Sequence, residues 1–176
     1  MNDKKNNPMK ELRIEKVTIN IGAGSAGEVL DNAKELVKRI TGKTPIETRA
    51  KDRNPIFKLR KGLEIGTKVT LRGKDAEELL KKAFVAKKNK VSKNNFDNLG
   101  NLSFGIKEYI DFPGIKYDPV IGMMGFDVCV TINRRGKRVR TRRIKTSKIG
   151  KKHLVNKEDS MKFINEKFKV EISKGE

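Results

Sequence analysis

A regular alternation of apolar and polar residues constrains the fold of this chain more than any other feature. Apolar side chains recur at every second position within four segments: at 17, 19 and 21 of 13–21, at 69 and 71 of 65–71, at 102, 104 and 106 of 102–106, and at 126, 128, 130 and 132 of 126–132. Successive side chains of a β-strand point to opposite faces of a sheet, so each segment has an apolar face and a polar face. The alternation predicts a sheet that buries one face and exposes the other.

Helical periodicity in three other segments predicts the elements that cover the apolar face. In 26–40, apolar residues three or four positions apart form one stripe along a helix that Gly42 ends. The members of this stripe are Val29, Ala33, Leu36, Val37 and Ile40. A second helix begins after Gly73 and has the stripe Leu79, Leu80, Ala83 and Phe84. A third helix is predicted at 156–168 and is expected to pack on the same sheet.

Two pairs of residues have the spacing of capping boxes at the starts of the first two helices. Ser25 precedes Glu28 by three residues, and Asp75 precedes Glu78 by three. Combined with the strands, these helices predict an α+β fold. We expect a mostly antiparallel sheet with helices packed on one face, a long basic hairpin arm and basic extensions.

Length and composition predict one domain with a polyanionic partner. The chain has 176 residues, of which 35% are hydrophobic, enough for a single core. Residues 1–12 are predicted to be a flexible N-terminal segment, and 13–176 a single domain. A net charge of +20 makes the compact state repel itself, which favours binding to nucleic acid. Because we find no signal peptide, membrane span or basic amphipathic helix, and only one cysteine, we expect a cytoplasmic protein without a membrane partner.

The segment 48–73 is predicted to be two strands joined by a long basic arm. The arm spans 48–60, and within it the chain turns back towards the second strand at 57–60. The segment has eight Lys and Arg against two acids. A solvated hairpin does not need such an excess to fold, so the arm is predicted to reach a polyanion. Its candidate binding residues are Arg49, Lys51, Arg53, Asn54, Pro55 and Ile56.

A second cationic stretch, residues 134–152, is called here the basic segment. It holds eleven Lys and Arg among nineteen residues and no acid. It has too little apolar area to order itself, so it is either a disordered tail or an arm that orders on phosphates, and we favour the arm. Its candidate RNA-binding residues are Arg134, Arg135, Arg138, Arg140, Arg142 and Arg143. The lysine-rich stretch 87–95 is interpreted as a connector, which either touches phosphate or is a solvated linker.

The polar face of the predicted sheet is the third candidate binding surface. It would carry Thr18, Asn20, Lys68, Thr70 and Arg72. Hydroxyls, an amide and cations on a rigid pleat suit the sugar hydroxyls and phosphates of RNA. Since the face has no aromatic pair for stacking bases, we expect recognition of RNA shape and backbone.

Catalysis has no candidate residues in this sequence. The single histidine, His153, is distant in sequence from Cys129, and no cluster of carboxylates accompanies either of them. A nucleophile with a base, or a metal site, needs such groups together. The chain is therefore predicted not to be an enzyme and to hold no metal or cofactor.

One motif points the other way. Gly22, Gly24 and Gly27 follow a strand and precede a helix, with Glu47 about 20 residues later, as in dinucleotide-binding turns. The capping box at Ser25 accounts for this turn without a ligand. A single strand–helix–strand unit is also too little for a dinucleotide fold. A dinucleotide-dependent enzyme is therefore the third hypothesis.

Several short motifs closely resemble those of the ribosomal protein L5 family of the large subunit, which binds 5S rRNA in the central protuberance. They are RIEKVTIN at 13–20, TGKTP at 41–45, FKLR at 57–60, KVTLRG at 68–73 and FGI at 104–106. Four others resemble the archaeal and eukaryotic branch: KNNF at 93–96, GIKYDP at 114–119, GFD at 125–127 and IGKKH at 149–153. The resemblance extends from about residue 13 to the last helix.

This resemblance implies a ribosomal function. It implies that Asn20, Thr70 and Lys43 contact 5S rRNA. Other large-subunit rRNA and neighbouring central-protuberance proteins are further partners that it implies for the protein. It also implies that the arm at 51–56 approaches the elbow of P-site tRNA, and that a small-subunit head protein lies across the subunit interface. Lys43 stands where the family usually has Gln. A free-standing RNA-binding protein or RNA chaperone is the second hypothesis.

Overall fold

The computed structural model describes residues 7–173. Half of the predicted flexible N-terminal segment, residues 1–6, lies outside the described residues, as do 174–176. Pro8–Lys10 forms a short 3-10 helix. The strands are β1 Leu12–Gly22, β2 Ile46–Arg49, β3 Glu64–Leu71, β4 Lys90–Ser92, β5 Leu102–Ile106, β6 Phe126–Arg134 and β7 Glu171–Ser173. The helices are α1 Glu28–Thr41, α2 Lys74–Ala86, α3 Arg138–Thr141 and α4 Lys157–Phe168.

The main sheet has five strands in the order β2-β3-β1-β6-β5, and every neighbouring pair is antiparallel. The central strand β1 is the longest. It pairs with β3 from Val17↔Leu71 to Gly22↔Gly66, and with β6 along its other edge. The predicted α+β fold with a mostly antiparallel sheet is confirmed.

The apolar face of this sheet forms the core together with the helices. Every second residue of β6, from Phe126 to Ile132, is buried. Helix α1 packs against β3, and α2 packs against β1. The predicted stripe of α2 is buried, with Ala76 in addition. Burying such stripes supplies most of the stability of short helices.

Helix α1 differs from the prediction in one stripe residue. Val29 is 44% exposed, whereas its neighbour Leu30 is 3% exposed and belongs to the core. Both residues have helical spacing to Ala33 and Val37, so the sequence pattern alone does not distinguish them. The rotation of the helix on the sheet decides which one is buried.

The predicted capping boxes of α1 and α2 are wrong. The N-caps are Gly27 and Gly73, and neither helix start has a side-chain cap hydrogen bond. Neither helix begins where its capping box requires. Ser25 lies two residues before the N-cap of α1, and Asp75 lies inside the first turn of α2. Instead, acidic residues in the first turn of both helices interact favourably with the positive end of the helix dipole.

A second, two-stranded sheet corrects the interpretation of 87–95 as a connector. Within that stretch, β4 pairs in parallel with β7 at the end of the described chain. The rings of Phe84 and Phe168 lie 5.3 Å apart and join α4 to α2. A three-residue strand with one buried apolar residue, Val91, gives too short a pattern to be recognised in sequence.

Candidate RNA interface

The open face of the main sheet brings together the polar residues predicted for it. Thr18 lies directly opposite Thr70, and Asn20 lies opposite Lys68. The hydroxyl oxygens of Thr18 and Thr70 are 3.3 Å apart. Arg72 follows β3 and is exposed, as are Lys68 and Thr70. These five side chains therefore form one polar patch across β1 and β3.

The open face continues onto β6 and β5 with residues that were not predicted as binding residues. Cys129 lies opposite Thr18, and Asp127 opposite Asn20. The pKa of the Cys129 thiol is raised by partial burial and by the charge of Asp127. Since a carboxylate repels phosphate, the half of the face formed by β1 and β3 is the better RNA surface. The alternation of apolar and polar residues along β6 had already placed Cys129 and Asp127 on this face.

A groove at the β2 edge extends the cationic half of the open face. It has a volume of about 390 Å³ and includes Lys43, Lys68 and Arg72 in its lining. The Lys43 ammonium lies 3.1 Å from the Asp75 carboxylate, and both side chains are more than half exposed. Exposed ion pairs stabilise little, so a phosphate can replace this one at small cost. Ile46, 66% exposed and opposite Lys68, is an apolar neighbour that the polar pattern missed.

The arm is attached firmly at its base and closes on itself at its tip. At the base, Ala50 is buried and exchanges backbone hydrogen bonds with Leu63 (2.8 Å) and Gly62 (2.9 Å). At the tip, Asn54 and Leu59 form an isolated antiparallel bridge around a turn. The predicted return through 57–60 is thus part of a turn and not a strand.

Side chains at the tip of the arm are exposed to solvent. Lys51, Arg53 and Pro55 are exposed, and Ile56 is 86% exposed. Phe57, which was not among the candidate residues, is 69% exposed. The tip therefore presents apolar and aromatic surface beside its cations. Such a combination can contact bases as well as phosphates.

Two ion pairs lie at the base of the arm, and one of them connects it to helix α1. The Lys34 ammonium lies 2.5 Å from Glu47 in β2, and Arg49 lies 3.0 Å from Glu64 across the β2–β3 pair. The contact with Lys34 lowers the pKa of Glu47, and the same contact raises the pKa of Lys34. Arg49, a predicted binding residue of the arm, already has this protein partner.

The topology argues against the dinucleotide hypothesis. A dinucleotide fold places the strands on either side of the first helix next to each other and parallel. Here β3 lies between β1 and β2 and is antiparallel to both. Glu47, the candidate ribose ligand, is held by Lys34.

The basic segment is attached to the domain through its first residues and near its end. Arg134 is 16% exposed, and its guanidinium donates to Asp159 of α4 at 2.9 Å. Lys137 lies 3.4 Å from Glu15 of β1, and a ring nitrogen of His153 contacts the Arg135 carbonyl oxygen at 2.7 Å. The two carboxylates are distant in sequence, so the pattern of the segment itself did not predict these contacts.

These contacts divide the predicted RNA-binding arginines into two groups. Arg134 stabilises the attachment of the basic segment. The arginines whose exposed side chains remain available are Arg135, Arg138, Arg140, Arg142 and Arg143. The sequence had left two alternatives for this segment, a disordered tail or an arm ordered by phosphate. Neither alternative included its attachment to β1 and α4.

The described residues offer neither a metal site nor a membrane-spanning helix. Between residues 7 and 173, no three His, Cys, Asp or Glu side chains are grouped to hold a metal ion. No helix in that range is long and apolar enough to cross a membrane.

The open polar face, the cationic arm and the basic segment define an α+β protein suited to a polyanion. A family model described as ribosomal protein L5 matches residues 7–60, and a second model, which describes the C-terminus of the same ribosomal family, matches residues 64–163. Among similar proteins, the large ribosomal subunit protein uL5 of Methanococcus maripaludis strain C6 is 51% identical over 168 residues, 94% of this chain and 93% of that protein. The uL5 protein of Sulfurisphaera tokodaii is 49% identical over 170 residues, 96% of each chain.

The chain belongs to the uL5 family of large ribosomal subunit proteins. The family predicted from the short motifs is thereby confirmed, and its relatives here are archaeal. Its partners are rRNA and other components of the ribosome. Family membership favours the ribosomal interpretation over a free-standing RNA chaperone.

Proposed function

We propose that this protein binds 5S rRNA through the open face of its main sheet and helps to attach it in the central protuberance of the large subunit. The observation that carries the proposal is the pairing of Thr18 with Thr70 and of Asn20 with Lys68 on the open face of the sheet, where Lys68 and Thr70 are exposed. These groups match RNA hydroxyls and phosphates without sequence readout. The nearby cations Lys43 and Arg72 supply the attraction to the phosphate backbone.

Truncating the polar patch should weaken RNA binding without unfolding the protein. We expect Asn20→Ala and Thr70→Ala each to cost about 1 kcal/mol of 5S rRNA binding, about a fivefold rise in Kd, because each removes a polar contact. Filter binding measures the Kd, and circular dichroism checks the fold. Asn94→Ala is the matched control, since Asn94 is exposed next to the separate two-stranded sheet. An equal loss in the control, or no loss in either variant, contradicts the proposal.

The arm is proposed to face the elbow of P-site tRNA. Its support is a tip that lies outside the open face and presents Lys51, Arg53, Ile56 and Phe57 to solvent. The buried Ala50 and the Asn54–Leu59 bridge give this tip a defined conformation. A preformed tip loses less conformational entropy when it binds.

Reversing the charge of the arm should separate its function from 5S rRNA binding. The double change Lys51→Glu and Arg53→Glu should leave the 5S rRNA Kd unchanged and speed the release of P-site tRNA from reconstituted ribosomes. Two attractions become two repulsions, each screened over about 10 Å at 0.1 M salt, so the effect should grow as salt is lowered.

A control on helix α2 separates the arm from a general effect of charge. Lys81→Glu with Lys82→Glu makes the same charge change at exposed positions of α2. It should not alter tRNA release. Equal loss of 5S rRNA binding and of tRNA in the arm variant would instead make the arm part of the rRNA anchor.

The loop between β5 and β6 is proposed to contact a neighbouring ribosomal protein, for which the small-subunit head protein is our candidate. Val120 is 77% and Met123 56% exposed, an apolar surface that suits protein better than RNA. The Arg39 guanidinium lies 2.7 Å from Asp118 and lowers the pKa of that carboxyl. Asn32 donates to the Val120 carbonyl oxygen at 2.9 Å. These bonds hold the loop against α1.

A further inference from the structure

A small cavity lies at the carboxyl end of β6, where the basic segment is attached to the domain. Its volume is about 50 Å³. A cavity needs roughly 10–15 Å³ to hold one water molecule, so this one is large enough to admit polar ligand atoms. Leu99, Ile149 and Leu154 form part of its wall, and Arg134, Lys137 and Arg140 contribute cationic groups. No acidic residue is among those that line it in the described part of the chain.

Arg134, which lines this cavity, carries one hydrogen-bond donor that no described residue uses. One of its terminal nitrogens donates to Asp159 at 2.9 Å, and the other donates to the Lys152 carbonyl oxygen at 3.3 Å. The third nitrogen, Nε, is buried and has no acceptor among residues 7–173. A buried N–H of a cation without an acceptor costs free energy until a ligand or water supplies one. An oxyanion in the cavity would supply it.

The charges around the cavity select a singly charged anion. Arg134 and Lys137 are already compensated by Asp159 and Glu15. Arg140 is exposed and pairs with no carboxylate in the described part of the chain. One uncompensated cation matches the single negative charge of a phosphodiester. The ammonium of Lys137 also keeps donors that Glu15 does not use, since Lys has three.

We infer that this cavity is a binding site for one phosphodiester group, held by Arg134, Lys137 and Arg140. The group comes from the backbone of large-subunit rRNA, and this choice of source rests on the proposed function. The site lies outside the open face, so it is a second, separate attachment point for RNA. A phosphate bound in this cavity would also fix the position of the basic segment on the RNA, which arginines that move freely would not do.

Dimethyl phosphate is the probe that tests the site on the complete free protein, at constant ionic strength set with chloride. The Arg134 Nε–H resonance should shift saturably with dimethyl phosphate and should not shift when chloride is added alone. Arg140→Gln should weaken this binding about tenfold by removing a charge-assisted contact. Lys81→Gln, which removes one positive charge from an exposed position of α2 outside both the cavity and the basic segment, should leave it unchanged.

Arg134→Lys provides a second variant with the net charge retained. Lysine can still pair with Asp159 but lacks the Nε–H, so saturable binding, followed through the backbone amides beside the cavity, should disappear. If this variant does not fold, the comparison of Arg140→Gln with Lys81→Gln decides. A non-saturable shift in the unmodified protein, or equal binding by Arg140→Gln and Lys81→Gln, would overturn the site.

The source of the phosphate is tested with rRNA. Arg140→Gln should weaken binding to large-subunit rRNA by at least about threefold more than Arg143→Gln does. Equal losses, together with saturable dimethyl phosphate binding, would overturn rRNA as the source. Failure of the unmodified protein to bind 5S rRNA would contradict the proposed function, whereas the dimethyl phosphate result would stand.

Discussion

Replacing Gly100 by alanine is expected to lower the free energy of unfolding by about 3 kcal/mol. Gly100 is buried in the turn before β5 with a φ of +77°, a backbone conformation that costs other residues about 1–2 kcal/mol. An added Cβ would overlap the Ser160 hydroxyl and lie 2.8 Å from Cγ1 of Val155. Overpacking of this kind costs about 1–3 kcal/mol more. Urea unfolding followed by circular dichroism measures the change.

Gly24→Ala is the matched control for this prediction. Gly24 has nearly the same backbone angle, a φ of +73°, but nothing lies within 4 Å of an added Cβ. We expect it to lose only the conformational part, about 1–2 kcal/mol. Equal losses in the two variants would show that the turn and α4 move apart without cost. The contact between Gly100 and the start of α4 would then not constrain the fold.

Neutralising the exposed arginines of the basic segment is expected to give the largest effect on RNA binding. The variant replaces Arg138, Arg140, Arg142 and Arg143 by Gln. Each lost phosphate contact should reduce the slope of log K against log salt by about 0.7–0.9, or about 3 for all four. Between about 50 and 200 mM salt, the unmodified protein should therefore lose about a hundredfold more affinity than the variant. Filter binding to large-subunit rRNA across a salt series measures both slopes.

A variant with the same loss of charge on the helices controls for net charge. It replaces four exposed lysines of α2 and α4 by Gln: Lys74, Lys81, Lys82 and Lys162. Its salt slope should stay close to that of the unmodified protein. If the slope is unchanged in the arginine variant as well, the basic segment is a solvated surface and contacts no phosphate.

The alternation of apolar residues was sufficient to predict four of the five strands of the main sheet, and the two faces of that sheet. Phe126 to Ile132 of β6 and 102–106 of β5 were predicted as strands and are strands. A period of two is a local property, because it needs only the geometry of one strand and the preference of apolar groups for the core. For the same reason Thr18, Asn20 and Thr70 could be placed on one polar face. The short motifs then sufficed to predict the family.

Contacts between distant parts of the chain decided the rest. The parallel pairing of β4 with β7, the contact of Arg134 with Asp159 and that of Lys43 with Asp75 join residues that no local pattern relates.

The attachment of the basic segment was decided in the same way. In sequence, 134–152 is a run of cations with nothing to order it. In the fold, Glu15 meets it because β1 pairs with β6 as far as Arg134, and Asp159 meets it from the first turn of α4. Charge and periodicity along the chain thus determined what kind of surface this protein has. Tertiary packing determined which cations remain free to use it, since a carboxylate neutralises a cation only where the fold places the two within a few ångströms.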